Sequence, residues 1–474
     1  MNRPRAVVVG GGISGLAAAR LLSERWQVQL LESGPRLGGK LAPVWLDGVR
    51  LDGGAESFLV RRPEALELVA ALGLGDRLVH PTAARPQLLV AGAPVPLPPS
   101  VLGVPTDLDA LAPVLSPEGL ARARREPREA WPPLPGDVAI GQLVDERFGP
   151  EVTDRVLEPM LGGVYAGRSR QLSFEAVAHG LFQRARAGGS LLDHARATAR
   201  GDQHGPVFGG LPGGVSTLVD ALAADLSVRG VEIRTQATVR ELRPRPGGGY
   251  RLVCGPAPAP AILDADAVVL AIPAGPAGRL LNTLVPAAAE WAAMPYASTA
   301  VVVLVVTGAR LTGSGLLVPL GELPTIKAFT HSSAKWDWVD AAARERWGED
   351  VAVVRASVGR LGEETLLHLP DEALVQRTVA EAQSAPGWSA AHLVAGHVVR
   401  WGGSLPQYTV GHRERVAGLR AGLRARPGLA VCGAGLDGLG IAACLASAAE
   451  AAGMIDSAAG AAGMIENSGQ EEAR

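Results

Sequence analysis

Three glycines near the N-terminus have the spacing of a phosphate-binding turn. Gly10, Gly12 and Gly15 form a GxGxxG motif between a short apolar run and a stretch with helical apolar spacing. The first glycine permits a tight turn, the second lets a ligand approach the backbone, and the third allows close helix packing. The helix that follows offers free N–H groups and the positive end of its dipole to a pyrophosphate.

An acidic residue completes this unit at the expected distance. Glu32 ends the next apolar run, where its carboxylate can accept hydrogen bonds from ribose hydroxyls. The pattern therefore predicts a dinucleotide site, and an incidental glycine turn is the alternative. The predicted cofactor contacts of the unit are Gly10, Gly12, Ile13, Ser14, Gly15, Glu32 and Ser33.

A second glycine-rich segment directly follows the acid. The sequence of residues 36–40 is RLGGK, a pattern that nicotinamide-dependent enzymes do not show at this place. Two adjacent glycines let the chain pass close to phosphates, and the flanking cations are suited to pair with them. This segment favours FAD over NAD, and its predicted contacts are Arg36, Gly38, Gly39 and Lys40.

Two further glycine sites extend the prediction along the chain. A Gly-Gly pair at 53–54 can bring backbone close to the isoalloxazine ring, although a loop without a ligand remains the alternative for this pair. Near the C-terminus, glycines at 433–440 precede a helix and offer a second helix N-terminus. The predicted contacts are Gly53, Gly54, Ala55, Ser57, Gly433, Gly440 and Ile441. The sequence therefore predicts an FAD site formed by segments from both ends of the chain.

Composition limits the remaining classes of protein. A chain of 474 residues is too long for one core and suggests two or three domains. Its formal charge of −2 gives no attraction to nucleic acid, which we exclude as a partner. The three cysteines have no CxxC or Cys/His spacing, so we predict neither a disulfide framework nor a metal site. This usage fits a reducing cytoplasm.

No segment has the pattern of an export signal or a membrane span. The apolar run 6–9 leads directly into glycines, and the longest apolar runs fall far short of the roughly 20 residues that cross a bilayer. We therefore expect a cytoplasmic protein without a transmembrane segment. Peripheral membrane contact stays open.

Apolar periodicity predicts an α/β protein. We expect a discontinuous Rossmann-type FAD-binding domain, an α+β substrate domain with a largely antiparallel sheet, and a helical subdomain. The FAD-binding domain is predicted to comprise three segments, 1–91, 206–282 and 403–455. Between them we predict a Pro-rich crossing and helical subdomain at 92–205 and the substrate domain at 283–402, with a disordered tail at 456–474.

Several longer blocks resemble one enzyme family. They are GGAESFLVRRPEALELVAALGL (53–74), LEPMLGGVYAG (157–167), GGLPGGVSTLVDAL (209–222), SSAKW (332–336), RWGGSLPQYTVGH (400–412) and CGAGLDGLGIAAC (432–444). At these residues the chain resembles the flavin monoamine oxidase and phytoene desaturase superfamily. Within it, the chain resembles the oxygen-dependent porphyrinogen oxidases of haem synthesis, particularly the bacterial enzymes that act on coproporphyrinogen III.

The resemblance implies an oxidation carried by the flavin. A porphyrinogen becomes an aromatic porphyrin by losing six electrons and six protons, in three rounds of hydride transfer to the flavin and reoxidation by O₂ to hydrogen peroxide. No nucleophile and base pair is recognisable, so we name no catalytic side chain. Protoporphyrinogen IX oxidation is the first alternative, followed by an amine oxidase or polyene desaturase and by a flavin-fold escort protein without redox chemistry.

Substrate contacts are predicted less directly. Coproporphyrinogen carries four propionates, for which arginines at the pocket rim are suited. Contact with the substrate is predicted for Arg61, Arg62, Tyr165, Gln407 and Tyr408, against a surface or core-packing role for each.

The resemblance also suggests roles for residues elsewhere in the chain. It implies cofactor or substrate contact for Trp401, with core packing as the alternative, and for Val239 a backbone contact with the adenine end. His331 and His412 are weaker candidates for proton transfer, and Lys335 for a lysine near flavin N5.

Some family positions differ in this chain. Many relatives have an acid where this chain has Arg168, an aromatic residue where it has Leu436 and a proline where it has Ala442. These departures affect pocket details more than the flavin glycines. A monomer or homodimer, and contact with a ferrochelatase, are compatible with the sequence.

Overall fold

The computed structural model describes residues 3–200 and 205–471, with 459–471 described by their backbone alone. Residues 201–204 of the predicted helical subdomain and 472–474 of the predicted tail lie outside the described residues. The protein is a mixed α/β structure, as the apolar periodicity predicts.

The strands alternate with helices along most of the chain. They are β1 (Arg5–Val9), β2 (Gln27–Leu31), β3 (Pro43–Leu46), β4 (Val49–Asp52), β5 (Phe58–Leu59), β6 (Pro86–Val90), β7 (Ala93–Pro96), β8 (Ser100–Val101), β9 (Val104–Pro105), β10 (Phe208–Gly209), β11 (Glu232–Arg234), β12 (Val239–Pro244), β13 (Tyr250–Cys254), β14 (Ala261–Ala265), β15 (Ala267–Leu270), β16 (Tyr296–Thr307), β17 (Gly315–Leu317), β18 (Ile326–His331), β19 (Val351–Val358), β20 (His392–Pro406) and β21 (Leu429–Val431).

The α-helices are distributed along the whole described part of the chain. They are α1 (Ile13–Leu22), α2 (Pro63–Ala71), α3 (Pro117–Ala123), α4 (Ile140–Phe148), α5 (Pro150–Val152), α6 (Glu158–Tyr165), α7 (Phe174–Val177), α8 (His179–Ala185), α9 (Leu191–Arg200), α10 (Thr217–Val228), α11 (Ala274–Leu281), α12 (Ala288–Ala292), α13 (Ser332–Lys335), α14 (Asp337–Trp347), α15 (Asp371–Ala382), α16 (His412–Arg424) and α17 (Ile441–Glu471).

A five-stranded parallel sheet unites the beginning, middle and end of the chain. Its order is β11-β2-β1-β15-β21, and each neighbouring pair is parallel. Strands such as β1 and β15 are continuous apolar runs because both faces of the sheet are covered. α1, α10 and α17 share one hydrophobic core with one face, and α11, α12 and α16 share another core with the opposite face. This sheet is the predicted discontinuous Rossmann-type unit.

A larger sheet forms the second layer of the molecule. Its order is β20-β16-β19-β18-β17-β6-β7, antiparallel except for the β17–β6 pair. β6 and β7 lie on either side of residue 91, where we expected a domain boundary, and β20 continues past residue 402, the other expected boundary. We did not predict β7 as a strand because its sequence is rich in proline. Proline is tolerated there because β7 is an edge strand.

Helices predominate in the second half of the segment at 92–205, where we predicted a helical subdomain. α4 to α9 form this region, and α6 packs against β17 and β18 of the larger sheet. The helical layer therefore packs on the larger sheet through α6.

The final helix is longer than we expected from the sequence. α17 continues past residue 455 to Glu471, because its alanine-rich repeat favours helix. Within it, the window Ile441–Ala458 is long and apolar enough to cross a membrane, although the sequence suggested no such segment. Half of this window is buried inside the protein, and Asp456 accepts a hydrogen bond from Trp26 Nε1 at 2.8 Å. This burial is typical of a core helix.

Candidate cofactor and active site

The turn formed by Gly10–Gly15, the glycine turn, is packed too tightly for side chains at two of its glycines. Gly10 has φ +109° and a Cβ there would lie 2.4 Å from Ala271 O. A Cβ on Gly15 would lie 1.8 Å from Gly10 O. Within the described residues, no side chain caps the N-terminus of α1 at Gly12. The turn therefore leaves backbone donors for an anion.

Glu32 lies between the glycine turn and the segment after β2. Its carboxylate accepts from Gly11 N at 2.7 Å and from Gly34 N at 2.6 Å, and Ser33 Oγ donates to it at 3.3 Å. The acid thus stands beside the backbone donors, at the place where the motif predicts ribose binding.

Residues 36–40 fold onto the glycine turn. Gly38 N donates to Gly11 O at 2.7 Å, and a Cβ on Gly39 would lie 3.2 Å from Gly12 Cα. Arg36 donates to the carbonyls of Leu37 and Gly39, so its guanidinium holds its own loop. Burial lowers the pKa of Lys40, and the nearby Cys444 opposes that shift. A bound anion would favour the charged form of this lysine.

A second helix N-terminus lies beside the first. Gly433 has φ +119°, and a Cβ on it would lie 3.7 Å from Ser14 Oγ. Its N–H donates to Ser447 Oγ at 3.0 Å. α17 begins at Ile441, directly after Gly440, and packs against α1. The N- and C-terminal motifs are therefore brought together, as the sequence predicted, and their paired donors fit a dinucleotide.

The Gly53–Gly54 pair lies next to the lysine of the RLGGK segment. A Cβ on Gly54 would lie 1.9 Å from Lys40 O, so this glycine is required by packing. Trp401 Nε1 donates to Gly53 O at 3.0 Å. Ala55 N donates to Lys40 O at 3.3 Å. Trp401 and the glycine pair, predicted separately to approach the flavin, are in contact.

Two partly buried ion pairs behind this glycine pair were missed by sequence reasoning. Glu56 pairs with Lys335 and, at 2.6 Å, with Arg355, which also donates to Gly54 O. Burial alone would raise the pKa of Glu56, but the two cations outweigh it and lower the pKa to about 2. Lys335 therefore holds Glu56 in this structure. A lone Arg in an apolar strand was the available signal for Arg355.

Asp52 holds the loop that precedes α10 next to the Gly53–Gly54 pair. Its carboxylate accepts from Val215 N at 3.0 Å and Ser216 N at 3.3 Å. A Cβ on Gly214 would lie 2.5 Å from Asp52 Oδ1. Burial raises the pKa of Asp52 to about 7, against the opposing effect of Arg355. The GGLPGG block at 209–214 is thereby tied to the strand that leads into Gly53.

The predicted substrate residues fall into two groups. Arg61 and Arg62 are exposed between β5 and α2, and Arg62 pairs with Glu64. Tyr165 and Tyr408 are buried with their rings 5.6 Å apart. Gln407 Nε2 donates to Tyr165 O at 2.7 Å and to Leu405 O at 2.9 Å. The second group is packed in the core beside α6, a placement that the packing alternative also predicts.

The remaining candidates contact backbone groups or lie close to them. Val239 begins β12, after Ala237, whose N–H donates to Glu32 O at 2.8 Å. His331 Nδ1 lies 3.1 Å from Gly313 O, and His412 Nε2 lies 2.6 Å from Leu436 O. Burial lowers the pKa of both histidines, which favours their neutral forms. Ser57 lies beside Glu56, half-buried.

Comparison with known proteins agrees with this architecture. The family model described as flavin containing amine oxidoreductase matches residues 13–455. The chain belongs to this family, and its cofactor is a flavin.

Individual relatives are similar over nearly the whole chain. Coproporphyrinogen III oxidase of Mycobacterium tuberculosis is 37% identical, over 94% of this chain and 95% of the relative. Protoporphyrinogen oxidase of Bos taurus is 30% identical, over 94% and 97%. The crystal structure of an Exiguobacterium protein proposed to be a protoporphyrinogen oxidase superposes with a TM-score of 0.82 at 30% identity, over 96% of this chain and 99% of that one.

Proposed function

We propose that this protein binds FAD and oxidises coproporphyrinogen III to coproporphyrin III, with O₂ as the electron acceptor. The observation that carries the proposal is the full-length similarity to coproporphyrinogen III oxidases, at 37% identity over 94% of the chain. The adjacent N-termini of α1 and α17 support FAD, because a dinucleotide pyrophosphate needs such donors.

The chemistry divides between the cofactor and the chain. Bound FAD would supply the hydride acceptor, and three rounds would remove six electrons and six protons while three O₂ become three H₂O₂. The chain would bind the pyrophosphate at the starts of α1 and α17 and the ribose at Glu32. Trp401 and Arg355 would fix the backbone of Gly53 and Gly54 beside the ring system. No side chain needs to act as a nucleophile.

The substrate would lie between the larger sheet and the helical layer. Tyr165 ends α6, which packs against β17 and β18, and would form one side of the pocket wall. Arg61 and Arg62 would meet propionates at the exposed rim, where Arg62 must exchange Glu64 for the substrate carboxylate. We also propose a cytoplasmic location.

Protoporphyrinogen IX is the second candidate substrate, because the bovine relative bears that activity in its name and is 30% identical. The two porphyrinogens differ by two propionates against two vinyl groups. The higher identity to the mycobacterial coproporphyrinogen III oxidase favours coproporphyrinogen.

The decisive experiment measures both substrates in parallel. Purified protein reconstituted with FAD is given each porphyrinogen under air, and porphyrin fluorescence and peroxide release are followed, with anaerobic and FAD-free samples as controls. We expect faster porphyrin formation from coproporphyrinogen III with three peroxides per porphyrin. Faster turnover of protoporphyrinogen would overturn the substrate assignment, and turnover of neither would overturn the activity.

A further inference from the structure

Three ring side chains hold consecutive carbonyls of the loop that leads into α17. Tyr408 Oη donates to Ala434 O at 2.6 Å, Trp291 Nε1 donates to Gly435 O at 2.8 Å, and His412 Nε2 lies 2.6 Å from Leu436 O. A carbonyl can only accept, so His412 Nε2 carries the proton. We call Trp291, Tyr408 and His412 the carbonyl clamp.

All three members of the carbonyl clamp are buried, and two of them are in contact. Relative exposure is 1% for Trp291, 1% for Tyr408 and 2% for His412. The rings of Tyr408 and His412 stack with centroids 4.1 Å apart. Burial lowers the pKa of His412, which favours the neutral imidazole, and the contact with Leu436 O selects the tautomer that carries the proton on Nε2.

Holding these carbonyls also fixes the direction of the loop's N–H groups. In a trans peptide the C=O and the next N–H point in opposite directions. Trp291 and Tyr408 belong to the core on one face of the parallel sheet, whereas α1 and α17 cover the other face. Among the described residues, the N–H groups of Gly435 and Asp437 find no acceptor.

We propose that Trp291, Tyr408 and His412 are positioning residues that aim the peptide N–H donors of Gly435 and Asp437 at the bound FAD, whereas the N–H of Leu436 donates to Gly433 O within the loop. The inference rests on the proposed cofactor. A loop of this glycine content has many accessible conformations, and the carbonyl clamp selects one that donates toward the anion site before the cofactor arrives. Pre-oriented donors strengthen binding and stabilise the more negative, reduced flavin.

The test separates this role from ordinary core packing. Tyr408→Phe removes one hydroxyl and keeps the ring, and Trp291→Phe removes a different donor of the clamp. The matched control is Tyr250→Phe, since Tyr250 is also buried and its hydroxyl donates to Pro427 O at 2.9 Å, away from the C-terminal loop. For each variant we would measure the FAD dissociation constant, the flavin midpoint potential and thermal unfolding, without any porphyrinogen.

We expect Tyr408→Phe to weaken FAD binding roughly 3- to 10-fold, the equivalent of one hydrogen bond, and to make the midpoint potential more negative. Tyr250→Phe should lower thermal stability to a similar extent with FAD affinity and potential unchanged. Equal FAD affinity and potential in Tyr408→Phe, Trp291→Phe and Tyr250→Phe would overturn the inference. Failure of the unsubstituted protein to bind FAD would instead overturn the proposed function. If Tyr408→Phe fails to fold, Trp291→Phe decides by the same readouts.

Discussion

The glycine turn at Gly10–Gly15 and the loop at 433–436 both lead to a helix N-terminus, but they are held in different ways. In the glycine turn, backbone packs on backbone, and a Cβ on Gly15 would collide with Gly10 O at 1.8 Å. In the C-terminal loop, side chains from distant elements hold the carbonyls. The Gly53–Gly54 pair combines both modes, since Lys40 O packs on it while Trp401 and Arg355 bind its carbonyls. The backbone-held turn cannot accept a side chain at Gly10 or Gly15, whereas removing one side chain from the side-chain-held loop leaves its other hydrogen bonds in place.

Gly15→Ala should have the largest effect because the new methyl group meets fixed backbone. We expect a loss of about 3 kcal/mol or more in unfolding free energy, with loss of bound flavin. Denaturant unfolding and the flavin absorbance of the purified protein measure both. The matched control is Gly180→Ala in α8, where nothing lies within 4 Å of the added Cβ and helix propensity should improve. Equal behaviour of the two variants would contradict the backbone-held turn.

Glu56→Gln tests the side-chain-held region behind Gly54. The substitution leaves Lys335 and Arg355 without their shared, largely buried carboxylate, and we expect a loss of about 3 kcal/mol at neutral pH, measured by denaturant unfolding. Glu64→Gln, in the exposed pair with Arg62, should cost no more than about 1 kcal/mol.

The pH dependence gives an independent check on the same variant. The folded pKa of Glu56 is lowered to about 2 from an ordinary value of 4.5, so its stabilisation is complete above pH 4.5 and is lost as the pH falls toward 2. Glu56→Gln should therefore lose less stability than the unsubstituted protein between these pH values. Parallel acid dependences of the two proteins would refute the assignment.

Trp401→Phe should have a smaller effect, because it removes a single hydrogen bond to Gly53 O. We expect about 1 kcal/mol lower stability together with weaker flavin binding, measured by flavin titration. Trp347→Phe loses a comparable indole donor, to Asp47 at an exposed site, and should leave flavin affinity unchanged. Unaltered affinity in Trp401→Phe would separate this residue from the cofactor.

Gly440→Ala should have the smallest effect. Gly440 does not have a positive φ, and nothing lies within 4 Å of an added Cβ. We expect a free energy of unfolding within about 0.5 kcal/mol of the unsubstituted protein, with flavin retained. Loss of flavin at unchanged stability would show that the cofactor itself requires a glycine here, which would sharpen the contrast with Gly15.

The backbone-held turn was easier to predict from the sequence than the contacts between distant elements. Local spacing was sufficient for the strand, glycine turn and helix around Gly10, and for the fold class. The boundaries near residues 91 and 402 were less readable, since β6, β7 and β20 join one sheet across them. The first part of the tail that we predicted to be disordered lies in α17, because an alanine-rich sequence favours helix well past residue 455.

Short-range sequence patterns were enough to specify the backbone-held regions of the site, because glycine spacing and strand period act over short distances along the chain. Tertiary folding alone brought Glu56 to Lys335 and Arg355, and carried Trp291, Tyr408 and His412 to three consecutive carbonyls. These contacts join residues far apart in sequence, and the partners of the three rings are backbone oxygens that every residue carries. The pattern of side chains along the sequence therefore does not indicate these contacts, because only folding brings the donor and the carbonyl together.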